Sequence, residues 1–282
     1  MQYQSPDTLE AAAKLLASSE NARILAGGTD LLVQMRAEVL SPALIVDIKR
    51  IAETRTIKEE AGGFRIGAAV TGAELKEHAK LKSIWPGVVE AANLIGSTQV
   101  QGRATMGGNL CNGSPAADSV PALIAAGAIA TVVGPNGRRD IKVEDVMLAP
   151  RKLALQKGEI IASFLLPPRT QASDAYLRFI PRTEMDIAVV GCGVSLTLDG
   201  AGTCTAARMS LGAVAARPLL VDAKALVGTK VDDAALAKLE AAARAACSPI
   251  DDKRGTKEFR IDVAGVLARR TALIALERAR KK

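Results

Sequence analysis

The chain has 282 residues, of which 49% are hydrophobic and 24% are charged, with 24 glycines and 12 prolines. These are globular proportions, and they exclude low-complexity, collagen-like and wholly disordered chains. The length corresponds to one large domain or two of medium size. Aromatic residues make up only 2% of the chain. The core must therefore be mainly aliphatic, and a base-stacking platform for single-stranded nucleic acid is hard to assemble.

The formal net charge of +7 could suit nucleic acid, an anionic cofactor or an acidic partner. The basic residues are scattered singly apart from a C-terminal run, which is typical of a solvated helix face. No apolar run is long enough for a transmembrane helix, and the first residues lack the pattern of a secretory signal. The 4 cysteines form no CxxC pair. We therefore expect a cytoplasmic protein with free thiols, no membrane span, no metal site and no nucleic-acid partner.

The first 55 residues predict a compact β-α-β unit after an N-terminal helix. The hydrophobic spacing, the capping residues and the glycine turn fix its elements. The predicted elements are a helix capped by Ser5 that runs to about Ser18, a strand over 23–26, a helix over 31–37 and a strand over 44–48. The two strands should pair in parallel, because the connection between them contains a helix.

From residue 56 onwards the predicted elements are shorter. They are strands over 56–58 and 64–66, helices over 71–78 and 85–94, an apolar helix from Asp118, a hairpin of strands over 129–133 and through 141, and a strand over 159–166. The glycine-rich stretch 105–115 contains little that favours a regular element. The two prolines in 167–171 make this segment the best candidate for a domain boundary.

Beyond that boundary the pattern predicts a separate α+β unit. Its elements are strands over 175–180, 187–198 and 203–212, followed by helices over 219–226, 232–246 and 263–281.

A first candidate binding segment is the sequence LAGGTDLL at residues 25–32, with Arg23 just ahead of it. Two glycines at a strand-to-helix turn let the main chain approach an anion and direct its amides towards it. The segment is neither a dinucleotide fingerprint nor a P-loop. By itself it is either a plain structural turn or a phosphate cradle.

A second candidate is the sequence TMGGN at residues 105–109, with Ser114 and Asp118 close behind. Such a loop could wrap a pyrophosphate, and Asp118 could accept hydrogen bonds from sugar or ribityl hydroxyls. The alternative is a long surface loop. The chain shows two glycine segments and no catalytic dyad, which suggests that they hold the two ends of one extended ligand containing phosphate.

Taken together, five segments resemble one known family, the FAD-binding medium subunits of the molybdenum hydroxylases. That family includes carbon monoxide dehydrogenase, the quinoline and nicotinate dehydrogenases and the flavin domain of xanthine dehydrogenase. The segments are residues 26–32 (AGGTDLL), 66–71 (IGAAVT), 104–110 (ATMGGNL), 113–118 (GSPAAD) and 182–190 (RTEMDIAVV).

The resemblance implies an α+β fold class. It implies a two-subdomain FAD-binding fold of the vanillyl-alcohol oxidase (PCMH) type followed by a smaller α+β C-terminal domain. On this sequence the expected boundaries are 1–170 for the FAD-binding domain, with subdomains of about 1–55 and 56–170, and 171–282 for the C-terminal domain.

The resemblance also implies the binding residues. In the family the two glycine segments hold the pyrophosphate, a carboxylate matching Asp118 contacts cofactor hydroxyls, a residue matching Ile161 lies beside the cofactor, and a basic residue is common at Arg178. The complete expected set is Arg23, Leu25, Ala26, Gly27, Gly28, Thr29, Asp30, Leu32, Ala104, Thr105, Gly107, Gly108, Asn109, Ser114, Asp118, Ile161 and Arg178.

Three further residues bear on this expectation. Ile187 stands where some relatives carry a tyrosine over the flavin ring. The only histidine, His78, lies in neither glycine segment, so we expect non-covalent FAD. Cys111, next to the second segment, is interpreted as a small buried thiol, and no residue is assigned a catalytic role.

By resemblance, the chain is an oxidoreductase subunit that passes electrons from the [2Fe-2S] clusters of a small partner subunit, through FAD, to an external acceptor. A large partner subunit would hold the molybdopterin cofactor, in a heterotrimer or a dimer of heterotrimers. Two other readings stay open. One is a self-sufficient flavin oxidoreductase of the same fold, and the other, more distant, is a nucleic-acid-binding module.

Overall fold

The computed structural model describes residues 1–282. Ten α-helices are present: α1 (Leu9–Ala17), α2 (Leu31–Arg36), α3 (Gly72–Glu77), α4 (Ala79–Ile84), α5 (Pro86–Ala92), α6 (Thr98–Gln101), α7 (Met106–Cys111), α8 (Ser119–Ala126), α9 (Asp233–Ala246) and α10 (Lys257–Ala279). The strands are β1 (Gln2–Gln4), β2 (Ala22–Leu25), β3 (Leu44–Asp47), β4 (Ile57–Glu60), β5 (Gly63–Gly67), β6 (Ile129–Gly134), β7 (Gly137–Lys142), β8 (Met147–Ala149), β9 (Lys152–Leu153), β10 (Ile160–Leu166), β11 (Ala172–Phe179), β12 (Val190–Leu198), β13 (Cys204–Gly212) and β14 (Leu219–Val221).

A small parallel sheet opens the chain, with strand order β1-β3-β2. The predicted parallel pairing of the two strands that flank α2 is confirmed, with Leu25 opposite Asp47. Strand β1 was not predicted. It is short and its side chains are exposed, so it carries none of the apolar alternation by which strands are recognised. Helix α1 begins later than expected, because Thr8 rather than Ser5 caps it by accepting a hydrogen bond from the Ala11 amide at 3.2 Å.

A five-stranded antiparallel sheet follows, in the order β4-β5-β10-β6-β7. The predicted hairpin is confirmed as β6 and β7, and its turn includes Gly137 with a φ of 103°. Helix α3 carries a complete capping box, in which Thr71 and Glu74 exchange hydrogen bonds. The core of this part is formed by helices α3, α4, α5, α7 and α8 together with strands of the sheet, and Trp85, Phe64 and Phe164 are among its largest buried side chains.

The C-terminal part is a four-stranded antiparallel sheet, β11-β12-β13-β14, with α9 and α10 packed against it. The predicted helix over 219–226 is wrong. Residues 219–221 form the edge strand β14, and only Lys224–Leu226 turn helically, as a short 3-10 segment. Helix α10 starts at Lys257, six residues before the expected position, because Thr256 caps it by accepting from the Phe259 amide at 3.2 Å.

Helix α8 is one of the elements that join the two parts. It packs against β12 and β13 at glycine positions where a side chain would not fit. A β-carbon on Gly193 would lie 2.7 Å from the carbonyl oxygen of Pro121, and one on Gly212 would lie 2.8 Å from the Pro121 ring. The helix therefore approaches the sheet more closely than side chains would allow, and this fixes the position of its N-terminal residue Asp118.

Candidate functional site

A cavity of about 610 Å³ opens between the small parallel sheet and the five-stranded sheet. Both glycine segments of the sequence line it, although more than seventy residues separate them. Strand ends, helix N-termini and the loop before β10 form its wall. The cavity has a size typical of sites for small molecules and cofactors.

The first glycine segment presents consecutive free backbone amides to this cavity. The amides of Gly27, Gly28, Thr29, Asp30 and Leu31 donate to no acceptor within the protein. Gly28 has a φ of 76°, a left-handed conformation that glycine adopts without strain. The helix α2 that follows adds the positive end of its dipole, so the segment is suited to an anion.

The second glycine segment is helical, and the expectation of an irregular stretch is wrong there. Helix α7 is capped by Thr105, whose hydroxyl accepts from the Gly108 amide at 3.0 Å. The helix is tied to the turn after β5, because the Gly107 amide donates to the Ala68 carbonyl at 3.2 Å. A β-carbon on Gly107 would lie 2.5 Å from that oxygen, so only glycine fits.

The first glycine segment also contacts the main chain just ahead of the second. A β-carbon on Gly27 would lie 2.0 Å from the carbonyl oxygen of Arg103. The side chain of Gln34 in α2 bridges the same two regions. It donates to Asp30 at 2.8 Å and lies 3.5 Å from the Asn112 side-chain oxygen. The cavity is therefore closed on this side by the main-chain contact between Gly27 and Arg103 and by the side chain of Gln34.

Asn109 has an unexpected set of partners. Its side-chain oxygen accepts hydrogen bonds from the Ser119 amide at 3.0 Å and from the Ser119 hydroxyl at 2.7 Å. Asp118 does not cap α8 with its own side chain. Asn109 therefore acts as the cap of α8 from a neighbouring helix and connects the second glycine segment to Asp118.

Asp118 belongs to a buried polar cluster that spans both parts of the chain. Its carboxylate accepts from Arg178 at 2.8 Å and from the Tyr176 hydroxyl at 3.2 Å, both on β11. Burial raises the pKa of Asp118 to about 6, while the charge of Arg178 and the two hydrogen bonds oppose that rise. The carboxyl group can thus titrate near neutral pH.

The structure brings most of the expected residues together. Twelve line the cavity: Arg23, Ala26, Gly27, Gly28, Thr29, Asp30, Ala104, Thr105, Gly107, Gly108, Asn109 and Ile161. Five do not line it: Leu25, Leu32, Ser114, Asp118 and Arg178. The side chain of Leu32 is 41% exposed, and Ser114 accepts from the Ala116 amide in its own turn. The Arg23 guanidinium bonds only to the Ala22 carbonyl and carries no carboxylate partner.

Several residues of the cavity wall were not predicted. They include Gln34, Asn112, Arg151, Leu153, Leu155, Lys157, Glu159 and Ile160. Arg151 has a φ of 60° and packs its backbone against Gly113. The Arg151 amide donates a hydrogen bond to the Gly113 carbonyl at 2.9 Å. Nothing in the local pattern around Arg151 indicates a site. The left-handed turn at Gly113 is the one signal that could have drawn attention to this pairing.

His78 and Cys111 are the two side chains whose reactivity bears on this site. His78 does not line the cavity. Its Nδ1 accepts from the Leu81 amide at 3.1 Å at the start of α4, and its ring meets Phe64 edge-on. Cys111 lines the cavity, but burial raises the pKa of its thiol to about 12. A protonated thiol is a poor nucleophile.

No helix of the structure is long and apolar enough to cross a membrane.

Known proteins resemble this chain from end to end. A family model described as the FAD binding domain in molybdopterin dehydrogenase matches residues 1–169, and one described as the CO dehydrogenase flavoprotein C-terminal domain matches residues 175–275. The carbon monoxide dehydrogenase medium chain of Afipia carboxidovorans is 34% identical over 284 residues, covering 99% of this chain and 96% of the relative. A putative xanthine dehydrogenase FAD-binding subunit of Escherichia coli is 34% identical over 220 residues, covering 77% of this chain and 75% of the relative.

Solved structures agree with these relatives. A chain of the Cu,Mo-CO dehydrogenase in its cyanide-inactivated form superposes with a TM-score of 0.93 at 34% identity, covering 99% of this chain and 98% of that one. A chain of quinoline 2-oxidoreductase from Pseudomonas putida 86 gives 0.89 at 27% identity, again covering 99% and 98%. The expected α+β class, with an FAD-binding domain followed by a C-terminal domain, is confirmed. The chain therefore belongs to the family of FAD-binding subunits of the molybdenum hydroxylases.

Proposed function

We propose that this chain is the FAD-binding electron-transfer subunit of a multi-subunit molybdenum hydroxylase. The observation that carries the proposal is the pair of glycine segments that line one cavity, each at a helix N-terminus. Bound FAD would supply the redox chemistry, since the flavin ring exchanges electrons and the protein provides binding and electrostatics.

The residues present fit a ligand that contains a pyrophosphate. The first segment offers successive amides without acceptors, and the second offers the start of a capped helix. Arg23 adds an unpaired positive charge at the wall, whereas Lys157 there is ion-paired with Glu20. Helix N-termini with exposed amides favour anions, so both segments suit phosphate groups without needing a metal ion.

The proposed contacts follow from this arrangement. Residues 26–30 would hold the phosphates together with Thr105, Gly107 and Gly108, and Ile161 would pack beside the cofactor. Asn109 would act at least partly through its hold on Ser119. Asp118 and Arg178 lie outside the cavity wall and pair with each other. We propose that the Asp118 carboxylate would accept hydrogen bonds from hydroxyl groups of the cofactor. For Leu25, Leu32 and Ser114 the proposed role is to shape the two segments. His78 lies away from the cavity, which supports non-covalent FAD.

The proposal includes the assembly around this chain. Its relatives are medium chains of multi-subunit enzymes, and we infer one small [2Fe-2S] subunit and one large molybdopterin subunit as partners. The [2Fe-2S] clusters would deliver electrons, and an external acceptor would take them from FAD. We further propose a heterotrimer or a dimer of heterotrimers, a cytoplasmic location, and a domain boundary at 170/171 with subdomains that meet near residue 55.

A self-sufficient flavin oxidoreductase is less well supported. It would need a proton donor facing substrate. Among the groups of the cavity wall, the Cys111 thiol has a pKa raised to about 12 by burial. Glu159 is held as a carboxylate, because its hydrogen bonds from Arg139 lower its pKa. Neither group is suited to give up a proton to a substrate at neutral pH.

The experiment that tests the proposal is purification of the chain alone and from its native host, with absorption spectra before and after acid precipitation. We expect flavin absorption that moves to the supernatant as FAD, with additional iron–sulfur absorption only in the native preparation. A colourless protein from both sources would contradict the proposal. Flavin that stays with the acid pellet would contradict non-covalent binding.

A further inference from the structure

Two side chains of the C-terminal sheet reach the same carboxylate of the preceding domain. Tyr176 and Arg178 are two positions apart on β11, and their side chains therefore lie on the same face of the strand. Both donate to Asp118 at the start of α8. Tyr176 is 3% exposed and Asp118 is 7% exposed, so water has little access to the cluster.

The neighbouring strand makes room for the tyrosine hydroxyl. A β-carbon on Gly191 of β12, which pairs with Arg178, would lie 2.6 Å from the Tyr176 hydroxyl oxygen. The next atoms of the ring would be at 3.4 and 3.5 Å, which is ordinary or slightly tight packing. The glycine is thus required by the hydroxyl oxygen and not by the aromatic ring.

We propose that Tyr176 is a positioning residue that holds Asp118 as an oriented carboxylate, ready to accept hydrogen bonds from the hydroxyl groups of the cofactor. The inference rests on the proposed function, because it concerns the use that FAD makes of Asp118. Tyr176 itself touches only Asp118 and its packing neighbours, and it is not assigned to contact FAD.

Because Asp118 is buried, Arg178 alone does not keep its carboxyl group fully ionised near neutral pH, and Tyr176 supplies a second hydrogen bond to the charged form. Burial works against the charged form of Asp118, and its pKa is raised to about 6 although Arg178 faces it. The groups that face Asp118 are Arg178 and Tyr176 from β11. Cys192 of β12 pairs with Leu177 and has a minor electrostatic effect on the tyrosine. Burial and the charge of Asp118 raise the pKa of Tyr176 well above its usual value, so its hydroxyl stays protonated. Loss of this donor would raise the pKa of Asp118 and leave more of it protonated near neutral pH.

The test compares FAD binding by the apoprotein of the wild type and of Tyr176→Phe across roughly pH 5 to 8. Wild-type affinity should rise with pH as Asp118 loses its proton. The variant should bind about 3- to 10-fold more weakly near neutral pH, the loss expected for one hydrogen bond. Its binding curve should also be displaced to higher pH. A residue that acts only on packing would not move the pH profile.

The chain contains a matched control. Tyr3 is the other tyrosine, and its hydroxyl also donates to an aspartate, Asp47, in the small parallel sheet. Tyr3→Phe removes the same kind of hydrogen bond and should leave both the affinity and its pH profile as in the wild type.

A second measurement needs no cofactor. Gly191→Ala should lower the unfolding midpoint of the wild type, because the new methyl group meets the Tyr176 hydroxyl oxygen. In Tyr176→Phe the oxygen is absent, so the double variant should lose less stability than the sum of the two single changes.

The outcomes distinguish a failure of the Tyr176 inference from a failure of the proposed function. A wild type that binds FAD while Tyr176→Phe shows the same affinity and pH profile would overturn this inference and leave the proposed function standing. Additive losses in the cycle would count against the packing relation. An apoprotein that takes up no FAD would overturn the proposed function and this inference with it.

Discussion

Asp174 accepts a hydrogen bond from the backbone amide of Val88 at 2.9 Å, although the two residues lie in different parts of the chain. A strand of the C-terminal sheet thereby supplies the N-terminal cap of α5. The same carboxylate pairs with Arg169 at 3.0 Å, whose guanidinium lies 3.8 Å above the ring of Trp85. Asp174 is therefore one of the groups that hold the C-terminal sheet against the helices of the preceding domain.

We expect Asp174→Asn to lower the free energy of unfolding by about 3 kcal/mol, because it leaves the buried Arg169 without its counter-ion. Urea unfolding followed by circular dichroism measures the change. The control is Glu59→Gln, which removes an exposed ion pair with Lys80 whose side chains are 56% and 57% accessible. That variant should lose less than about 1 kcal/mol. Equal losses in the two variants would contradict the role assigned to Asp174.

Substitution of the glycines should affect FAD retention in a definite order. Gly27→Ala and Gly107→Ala should be the most damaging, because the new β-carbon meets backbone oxygens at 2.0 and 2.5 Å. Gly108→Ala should be milder, since its nearest neighbour is the Thr105 hydroxyl at 3.1 Å. The bulkier Gly28→Val should abolish retention, because a β-branched residue cannot easily adopt a φ of 76°.

The measurement is the ratio of FAD to protein after gel filtration, with thermal unfolding as a check on the fold. Gly200→Ala is the matched control, because a β-carbon at that position has no atom within 4 Å. If Gly108→Ala lost more FAD than Gly27→Ala, main-chain contact would not be the reason for these glycines.

Removal of the Asp118 carboxylate should weaken FAD binding without abolishing it. We expect Asp118→Ala to cost about 1.5 to 3 kcal/mol of binding free energy, the range for a hydrogen bond to a charged group. Asp118→Asn keeps an acceptor oxygen and should lose less, and its affinity should no longer change with pH near 6, the pKa of the native carboxyl. Fluorescence titration of the apoproteins tests both statements. An Asp118→Ala variant with wild-type affinity would remove this residue from the proposed contacts.

The cysteines should be unreactive in the folded protein. Burial raises the pKa of Cys111 and of Cys192 to about 12, that of Cys247 to about 11, and that of Cys204 above its usual value. All four should therefore be thiols at about pH 8 and react slowly with a thiol reagent. Unfolding in denaturant should release 4 rapidly reacting thiols per chain. Cys192 and Cys204 are buried, whereas Cys111 and Cys247 are half-buried. A thiol that reacts rapidly in the native protein would contradict the raised pKa values.

Local patterns predicted the strands and helices whose signals lie within the element. The helix predicted over 71–78 and the hairpin turn at residues 134–137 are of this kind, and both were found. Helix α7 was missed because its two glycines have low helix propensity. It is held by contacts distant in sequence, such as the bond from the Gly107 amide to Ala68. The prediction of a helix over 219–226 is wrong because residues 219–221 become a strand only through their pairing with β13, which lies outside the local pattern.

In the candidate site, too, the residues with local sequence signals were predicted and those that depend on distant contacts were not. The glycine segments were identified because a strand, two glycines and a helix start are adjacent in sequence. Tyr176 was not nominated, since a single tyrosine in an apolar strand indicates only a core residue. Its proposed role depends on the approach of α8 to β12 and β13, which the glycines at 193 and 212 allow. The distance between α8 and the C-terminal sheet cannot be predicted from any local sequence pattern.

The contact between Gly27 and Arg103 has a consequence for how this cavity can change during evolution. A pocket shaped by side chains can be widened, narrowed or repacked by exchanging one residue for another and adjusting its neighbour. Here one wall is main chain against main chain, with no side chain that a second substitution could trim. The end of the cavity that we propose for the phosphates is consequently a fixed dimension of the fold, and variation among relatives should concentrate at the side-chain wall formed by residues such as Leu153, Leu155 and Lys157.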